Sequence, residues 1–306
     1  MTKINRREFL KITLITASAA VLATSGYGFM IEPSWIEITH TSVPIPGLKP
    51  PLEGFRLVVI GDIHVGTWIS QSQLQNVVDL VNQLDADLIV HTGDFVGMRK
   101  TIPYIMAKVT RDESLGFGHS PEAEDLFSAC IPLVAKMKSK HGAIAVLGNH
   151  EYWVDPAAAR KYLRDYGISL LENKSKLVTV DGASLNFAGV GDLWEGTQDL
   201  TSAFASTPSP YEAPRIVISH NPDFADDPQV ARSGAVLMLS GHTHGGQVTL
   251  PGIGSPLLPI HNKRYASGLV DTEWGYVYIS KGIGCTQPAI RIGTRPEIAV
   301  LELTAA

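Results

Sequence analysis

Residues 55–64 have the sequence Phe-Arg-Leu-Val-Val-Ile-Gly-Asp-Ile-His, an apolar run that ends abruptly in a glycine, a carboxylate and an imidazole. Four later segments repeat this pattern, at 88–94, 143–151, 216–222 and 236–244. Continuous apolar runs without alternation predict strands that are covered on both faces. The polar residues therefore lie at the ends of five buried strands, which is where open α/β sheets bind their ligands.

Helical patterns between these runs predict an α/β fold. The first helix has an apolar face over 74–84 and follows a serine cap at 70 or 72. The second covers 126–137, with a kink or boundary at Pro132. The third lies between Asp155-Pro156 and Gly167. A hairpin around Asp181-Gly182 and a strand-rich end over 248–303 make the sheet arrangement mixed. Residues 32–306 are expected to form one domain, with 97–120 as a lid or substrate-binding insertion.

The five strand ends collect carboxylates, one amide and half of the ten histidines of the chain: Asp62, His64, Asp94, Asn149, His150, His220, His242 and His244. Imidazole, carboxylate and amide ligands without thiolate favour Mn, Fe, Zn, Ni or Co over Ca or a structural zinc site. The number of groups exceeds what one ion needs, so a carboxylate shared between two ions is expected. The two cysteines, Cys130 and Cys285, are too few for a disulfide scaffold and are expected to be buried thiols.

The order of these motifs, which is Asp-x-His, Gly-Asp, Gly-Asn-His-Glu, a lone His and Gly-His-x-His, resembles the calcineurin-like metallophosphoesterase family over roughly residues 55–303. The resemblance implies a four-layer sandwich of two mixed β-sheets flanked by helices, and two divalent metal ions. It assigns Asp62, His64, Asp94 and His244 to the first ion, and Asp94, Asn149, His220 and His242 to the second. Asp94 would bridge the two ions.

The same resemblance leaves His150 free of metal, as the residue that protonates the leaving oxygen or stabilises its charge. Two cations about 3.5–4 Å apart lower the pKa of a bound water and stabilise in-line displacement at phosphorus. Glu151 is expected to orient a neighbouring imidazole. Gln247 is a candidate substrate contact, whereas a structural role is expected for Asp192.

The C-terminal stretch, with Lys263-Arg264-Tyr265 and Arg291, resembles a bacterial subgroup of membrane-associated or exported phosphodiesterases and pyrophosphatases. Some members of that subgroup act on UDP-2,3-diacylglucosamine in lipid A synthesis. Arg264 or Arg291 is therefore expected to bind a second phosphate, with a surface ion pair as the alternative for each. A phosphomonoesterase or protein phosphatase, and a non-catalytic binding module, remain alternative functions on the same scaffold.

The N-terminus carries an export or anchoring sequence. Asn-Arg-Arg-Glu-Phe-Leu-Lys at 5–11 precedes an uncharged stretch over 12–31, which resembles a signal for the twin-arginine export machinery, and an uncleaved membrane anchor is the alternative. Both alternatives predict a cell-envelope location. The net charge of the whole chain is −5, and residues 1–31 hold four basic residues and one acidic residue, so the rest of the chain carries −8. That acidity argues against sequence-independent nucleic-acid binding.

Overall fold

The computed structural model describes residues 5–97 and 121–306, so nearly all of the expected lid at 97–120 lies outside the described residues. Twelve strands are present in this part of the chain: β1 (Glu37–Ile45), β2 (Arg56–Ile60), β3 (Leu88–His91), β4 (Ala143–Ala145), β5 (Ser169–Leu170), β6 (Lys174–Val180), β7 (Ala183–Gly189), β8 (Arg215–Ile218), β9 (Ala235–Ser240), β10 (Gly268–Asp271), β11 (Tyr276–Ile279) and β12 (Glu297–Ala305). The α-helices there are α1 (Arg6–Gly26), α2 (Gln71–Val81), α3 (Pro121–Val134), α4 (Asn149–Val154), α5 (Pro156–Asp165), α6 (Leu200–Phe204) and α7 (Pro228–Arg232).

The strands form two six-stranded mixed sheets. The first sheet has the order β1-β12-β2-β3-β4-β5, and the second has the order β10-β11-β9-β8-β7-β6. In the first sheet β12 is antiparallel to β2, while β2 to β5 run parallel. In the second sheet β7, β8, β9 and β11 run parallel and each edge strand is antiparallel to its neighbour.

Three apolar cores separate four layers. Alternate residues of β2 face opposite sides, since Val58 packs with α2, α3 and α5, whereas Leu57 packs against the second sheet. Leu57, Phe187 and Ile216 belong to the core between the two sheets. The far face of the second sheet is covered by α6 and α7. The expected α/β sandwich of two mixed sheets flanked by helices is therefore confirmed.

Local sequence accounts for the element boundaries. Ser70 and Gln73 form a reciprocal capping box at the start of α2. Asp155 accepts hydrogen bonds from the Ala157 and Ala158 amides at 2.9 Å, which caps α5. The predicted hairpin is β6 and β7, and its turn places Asp181 at φ 46° and Gly182 at φ 80°, the left-handed conformation that an Asp-Gly turn needs.

The N-terminal helix stands away from the sheets. None of the side chains of α1 is buried against the described part of the chain. The stretch Arg6–Ser34 contains a window of mean hydropathy 1.5, of which 6% is buried, so its length and composition suit a membrane span. A signal sequence near an N-terminus has the same properties.

Candidate active site

Both sheets deliver polar side chains to one edge of the sandwich. Asp62 follows β2, Asp94 follows β3 and Asn149 follows β4, while His220 follows β8 and the pair His242 and His244 follows β9. All of these residues are at most 6% exposed, as are His64 and His150. The structure therefore brings together all eight residues that the sequence placed at strand ends.

The turns that carry these groups are unusually tight. Asp62, His64, Asp94, His242 and His244 all have φ between 50° and 70°. Residues other than glycine seldom adopt this left-handed backbone conformation, and where they do, they often lie at functional sites. Gly245, directly after His244, is also left-handed at φ 59°, and a Cβ there would lie 2.6 Å from Thr294 Cγ2.

Three groups of side chains each place potential ligand atoms within 4.8 Å of one another: Asp62 with His64 and His244, His64 with Asp94 and His150, and Asp94 with His220 and His242. Asp94 belongs to two of them. Its Oδ2 lies 3.5 Å from His64 Nε2 and 3.2 Å from His220 Nε2. One carboxylate therefore stands between two clusters of imidazoles.

The donor atoms fit divalent cations. His64 Nε2 and His244 Nε2 face each other at 3.0 Å, and His242 Nδ1 faces His220 Nε2 at 3.2 Å. Asn149 Oδ1 is buried and has no hydrogen-bond partner within residues 5–97 and 121–306. Converging ring nitrogens, buried carboxylates and an unpartnered amide oxygen are the groups that a metal ion would satisfy.

Burial controls the charge of most of these imidazoles. It lowers the pKa of His64 and of His242 to about 3, and it holds the pKa of His244 well below its usual value, so these rings are neutral and keep a lone pair for a ligand bond. Burial also raises the pKa of Asp62 to about 7.

Asp94 and His220 form a charged pair. Burial alone would raise the pKa of Asp94 and lower that of His220. Their mutual attraction prevails: it holds the pKa of the carboxyl well below its usual range and raises the pKa of the imidazole to about 10. An ionised Asp94 thus favours the protonated form of the His220 imidazole beside it.

His150 lies beside the clusters and lines the cleft. Its amide donates to Asp94 Oδ1 at 3.0 Å, and its ring centroid lies 4.5 Å from that of His64 and 4.8 Å from that of Trp153. His150 Nδ1 has no hydrogen-bond partner in the described part of the chain. This nitrogen is thus a buried polar atom that the described residues leave unpaired, like Asn149 Oδ1.

Glu151 accepts hydrogen bonds from backbone amides and not from an imidazole, contrary to the sequence expectation. Its carboxylate accepts hydrogen bonds from the amides of Asp94 at 2.8 Å, Val96 at 3.2 Å and Gly148 at 2.9 Å. These amides belong to the turns that present Asp94 and Asn149. Glu151 therefore fixes the relative position of two strand ends.

The expectation that Arg291 binds phosphate is wrong for this structure, because the side chain is fully buried. Its guanidinium donates to the carbonyl oxygens of Gly284, Thr294, Lys281 and Gly282. A hydrogen-bonded guanidinium in the interior has no free edge for a substrate. Arg291 Nη2 also approaches His244 Nδ1 at 3.5 Å, so the arginine supports the site from behind.

Arg264 is exposed but does not line the cleft. Its guanidinium donates to the carbonyl of Asp271 and lies over the ring of Tyr265. Asp192 caps a turn, accepting from the amides of Trp194 and Glu195 at 2.9 and 3.0 Å, which agrees with a structural role.

The cleft above the metal-ligand candidates has a volume of about 550 Å³. Asp94, Asn149, His150, His242 and His244 form its floor. Apolar groups form much of its wall: Trp153, Trp194, Val248, Pro256, Leu257, Leu258, Pro259, Pro288 and Ile290. Sequence analysis missed the wall segments 256–259 and 286–290, which carry no ligand-type residues.

Gln247 also lines the cleft. Its side chain is occupied, because Oε1 accepts from the Thr286 amide at 2.6 Å and Nε2 donates to the Pro288 carbonyl at 3.1 Å. Gln247 therefore fastens the 286–290 wall segment to the turn after His244.

Residues 55–246 match the family model of the calcineurin-like phosphoesterases, and that range contains every strand-end ligand described above. The chain belongs to the calcineurin-like phosphoesterase family. It is therefore a metal-dependent phosphoesterase, and the buried histidine and aspartate clusters of this phosphoesterase are those expected to hold the metal.

Three curated relatives resemble this phosphoesterase. Phosphodiesterase YaeI of Escherichia coli is 29% identical over 98% of this chain and 99% of its own length. A transmembrane protein with metallophosphoesterase domain from Danio rerio is 30% identical, over 97% of this chain and 63% of the relative. UDP-2,3-diacylglucosamine pyrophosphatase LpxG of Chlamydia trachomatis is 26% identical, over 94% of this chain and 95% of the relative.

Proposed function

We propose that this chain is a dinuclear phosphodiesterase or pyrophosphatase. The observation that carries the proposal is the position of Asp94 between two imidazole clusters, 3.5 Å from His64 and 3.2 Å from His220. Asp62, His64, Asp94 and His244 would hold one ion, and Asp94, Asn149, His220 and His242 the other. The absence of thiolate from this donor set favours Mn, Fe, Zn, Ni or Co.

When bound, the two ions would supply Lewis acidity to the phosphoryl oxygens and to the attacking water. Asp94 holds the two ligand sets together, and Glu151 fixes the turns on which Asp94 and Asn149 stand. His150 would donate a proton to, or stabilise the charge on, the departing oxygen, since its ring lines the cleft and Nδ1 has no partner among the described residues. Trp153 and Trp194 would exclude bulk water from the reacting phosphate.

The cleft wall favours a diester or a pyrophosphate over a monoester. No lysine or arginine is among the described residues that line it. A monoester carries up to two negative charges on one phosphate near neutral pH, and proteins usually bind such a group with basic side chains. A diester carries one charge and two organic groups, for which apolar walls are better suited.

An amphipathic phosphodiester of the cell envelope is the proposed substrate class, with UDP-2,3-diacylglucosamine as the first compound to test. The apolar wall and the similarity to LpxG and YaeI support this choice. In this proposal residues 32–306 are the catalytic domain, and residues 1–31 are a twin-arginine signal or an uncleaved anchor. Either form would place the enzyme at the outer side of the cytoplasmic membrane.

The test compares bis-p-nitrophenyl phosphate with p-nitrophenyl phosphate, using the full chain loaded in turn with each candidate metal. We expect a higher kcat/KM for the diester, and loss of both activities in Asp94→Asn. A preference for the monoester would instead identify a phosphomonoesterase or protein phosphatase. Inactivity of the metal-loaded chain on both compounds and on UDP-2,3-diacylglucosamine would contradict the proposal.

A further inference from the structure

An exposed apolar segment, residues 250–258, extends from the rim of the cleft; we call it the apolar loop. Its sequence, Leu-Pro-Gly-Ile-Gly-Ser-Pro-Leu-Leu, contains no charged residue. Ile253 is 74% exposed and Leu257 is 80% exposed. Large apolar side chains grouped at a projecting turn are unusual on a water-facing surface and mark an interaction site.

The backbone holds this loop in a defined shape. The Leu250 amide donates to the Gly254 carbonyl at 2.9 Å, which closes a tight turn. Gly252 and Gly254 have φ of 76° and 80°, the left-handed conformation that glycine permits at low cost. Ile253 therefore stands at the tip of a constrained turn.

The base of the apolar loop lies beside the end of the N-terminal helix. Gly28, two residues after α1, accepts a hydrogen bond from the Arg291 amide at 2.9 Å, and a Cβ at Gly28 would lie 2.8 Å from Ile292. Ile292 in turn accepts from the Thr249 amide at 2.8 Å. Segments paired in this way lie about 5 Å apart, so the chain after α1 and the base of the loop are within about 10 Å.

Groups typical of a membrane interface occur at the same place. Trp35 follows the apolar stretch Arg6–Ser34 and is 49% exposed. The guanidinium of Arg295 lies 3.6 Å from the centre of its ring. Tryptophan and arginine are favoured at the level of lipid headgroups, where an apolar ring and a charged group are both accommodated.

The apolar loop is also part of the catalytic cleft. Leu257 and Leu258 line it, together with Pro288 and Ile290 of the segment that leads to Arg291. The mouth of the cleft thus lies on the same side of the body as the end of α1.

From these contacts we infer that the apolar loop inserts into the lipid bilayer beside α1, so that the mouth of the cleft opens at the membrane surface. The occupant of the apolar surface is therefore lipid. Charge attraction does not explain such docking, because residues 32–306 carry −8 and a membrane surface with anionic lipids is also negative. Burial of the apolar side chains of the loop among acyl chains would therefore drive the docking.

This inference rests on the proposed function only for the class of substrate that would use the route. A lipid-linked phosphodiester could then present its phosphate to the metal-ligand candidates while its acyl chains remain near the bilayer. The docking itself is testable without any substrate.

The test uses depth-dependent fluorescence quenching of the full chain, reconstituted in vesicles of phosphatidylethanolamine and phosphatidylglycerol with brominated acyl chains. Single labels are attached at Ile253→Cys and Leu257→Cys. Tyr211→Cys is the matched control, because Tyr211 is 94% exposed but precedes β8, at the opposite end of that strand from His220. The native Cys130 and Cys285 are buried and are not expected to label.

We expect strong quenching at 253 and 257, none at 211, and no loss of quenching in 1 M salt, where the Debye length is about 3 Å. Equal quenching at 211 and 253, no quenching at 253, or its loss in high salt would overturn the inference. Absence of quenching in the labelled protein, with disulfide-linked dimers of the unlabelled Ile253→Cys variant under a mild oxidant, would instead show that a second copy of the chain covers the loop.

Two further measurements distinguish insertion of the apolar loop from the proposed anchor and from the proposed activity. A label at Ser18→Cys, an exposed position of α1, reports the anchor: quenching at 18 but not at 253 would retain the anchor and overturn loop insertion. Quenching at 253 but not at 18 would retain loop insertion and contradict the anchor. Hydrolysis of bis-p-nitrophenyl phosphate by the same samples tests the proposed activity, independently of the quenching.

Discussion

Asp94 makes three contacts that join the two imidazole clusters to His150. It approaches two imidazoles through Oδ2 and accepts the His150 amide through Oδ1. We expect Asp94→Asn to reduce metal content below two ions per chain, because an amide offers one neutral oxygen in place of a bridging carboxylate. Elemental analysis of the full chain checks this.

Asp165→Asn is the control for that substitution, since Asp165 lies away from the site and forms surface ion pairs with Lys161 and Arg164. It should keep the wild-type metal content. Two ions per chain at full occupancy in Asp94→Asn would show that Asp94 does not bridge.

Kinetics can distinguish a role of His150 in the reaction from a role in metal binding. We expect His150→Ala to keep both metals and to slow a diester with a poor leaving group by about 10² to 10⁴-fold, the usual loss when a general acid is removed. A p-nitrophenyl diester should be affected less, because its leaving group departs without a proton. His40→Ala, at an exposed histidine of β1, is the control.

Equal defects on both diesters with both metals retained would show that His150 stabilises charge and donates no proton. Loss of a metal in His150→Ala would make the residue a ligand and contradict the assignment. The two outcomes are distinguished by elemental analysis of the same preparation.

Glu151 gives a prediction about stability. Its carboxylate accepts three backbone amides in the interior, and the amide side chain of glutamine would leave at least one of them without an acceptor. We expect Glu151→Gln to lower the free energy of unfolding by about 1–3 kcal/mol, measured by denaturant titration. Glu124→Gln, at an exposed position of α3, should change it by less than about 0.5 kcal/mol.

At the scale of elements, an ion pair joins α5 to the segment after β5. Arg160 donates to both oxygens of Glu172, at 2.8 and 2.7 Å. The hydrogen bond from Arg160 lowers the pKa of Glu172, so the ionised carboxylate is favoured in the folded state. Its contribution is therefore present above the unfolded value of about 4.3 and is lost as the pH falls through the folded value.

We expect Arg160→Gln to lower the free energy of unfolding by about 1 kcal/mol at pH 7, a modest value because both groups are partly solvated. The difference from wild type should shrink as the pH falls below about 4. Arg164→Gln, on the same helix and 72% exposed, is the control. A difference independent of pH would mean that Arg160 acts through packing and not through its charge.

Sequence patterns found the elements that carry chemistry and missed elements that support them. The five strands before ligands are uninterrupted apolar runs, and Ser70, Asp155 and Asp181-Gly182 have local cap or turn chemistry. Strand β1 was missed because Glu37–Ile45 mixes polar and apolar residues and is stabilised by pairing with the distant β12. The burial of Arg291 depends on carbonyls that several loops bring together, which spacing along the chain does not reveal.

At the scale of the whole molecule, the proposed twin-arginine signal gives a prediction about delivery. Replacing both Arg6 and Arg7 with lysine should stop export through the folded-protein route and leave the activity of the purified chain unchanged. Fractionation with a reporter fused after residue 31 measures this, with Lys11→Arg as the control. Unchanged delivery of the double variant would favour a simple anchor.

The pairing of β1 with β12 also bears on when the protein acquires its fold. Glu37 pairs with Glu297 and Ile45 with Ala305, so the first strand of the sandwich stays unpaired on this side until the last strand has been synthesised. Contacts between such distant parts of a chain form late and slowly, because a long loop must close first. The emerging polypeptide would therefore leave the ribosome with an unfinished sheet and an exposed strand edge, and completion of the sheet would be a post-translational event.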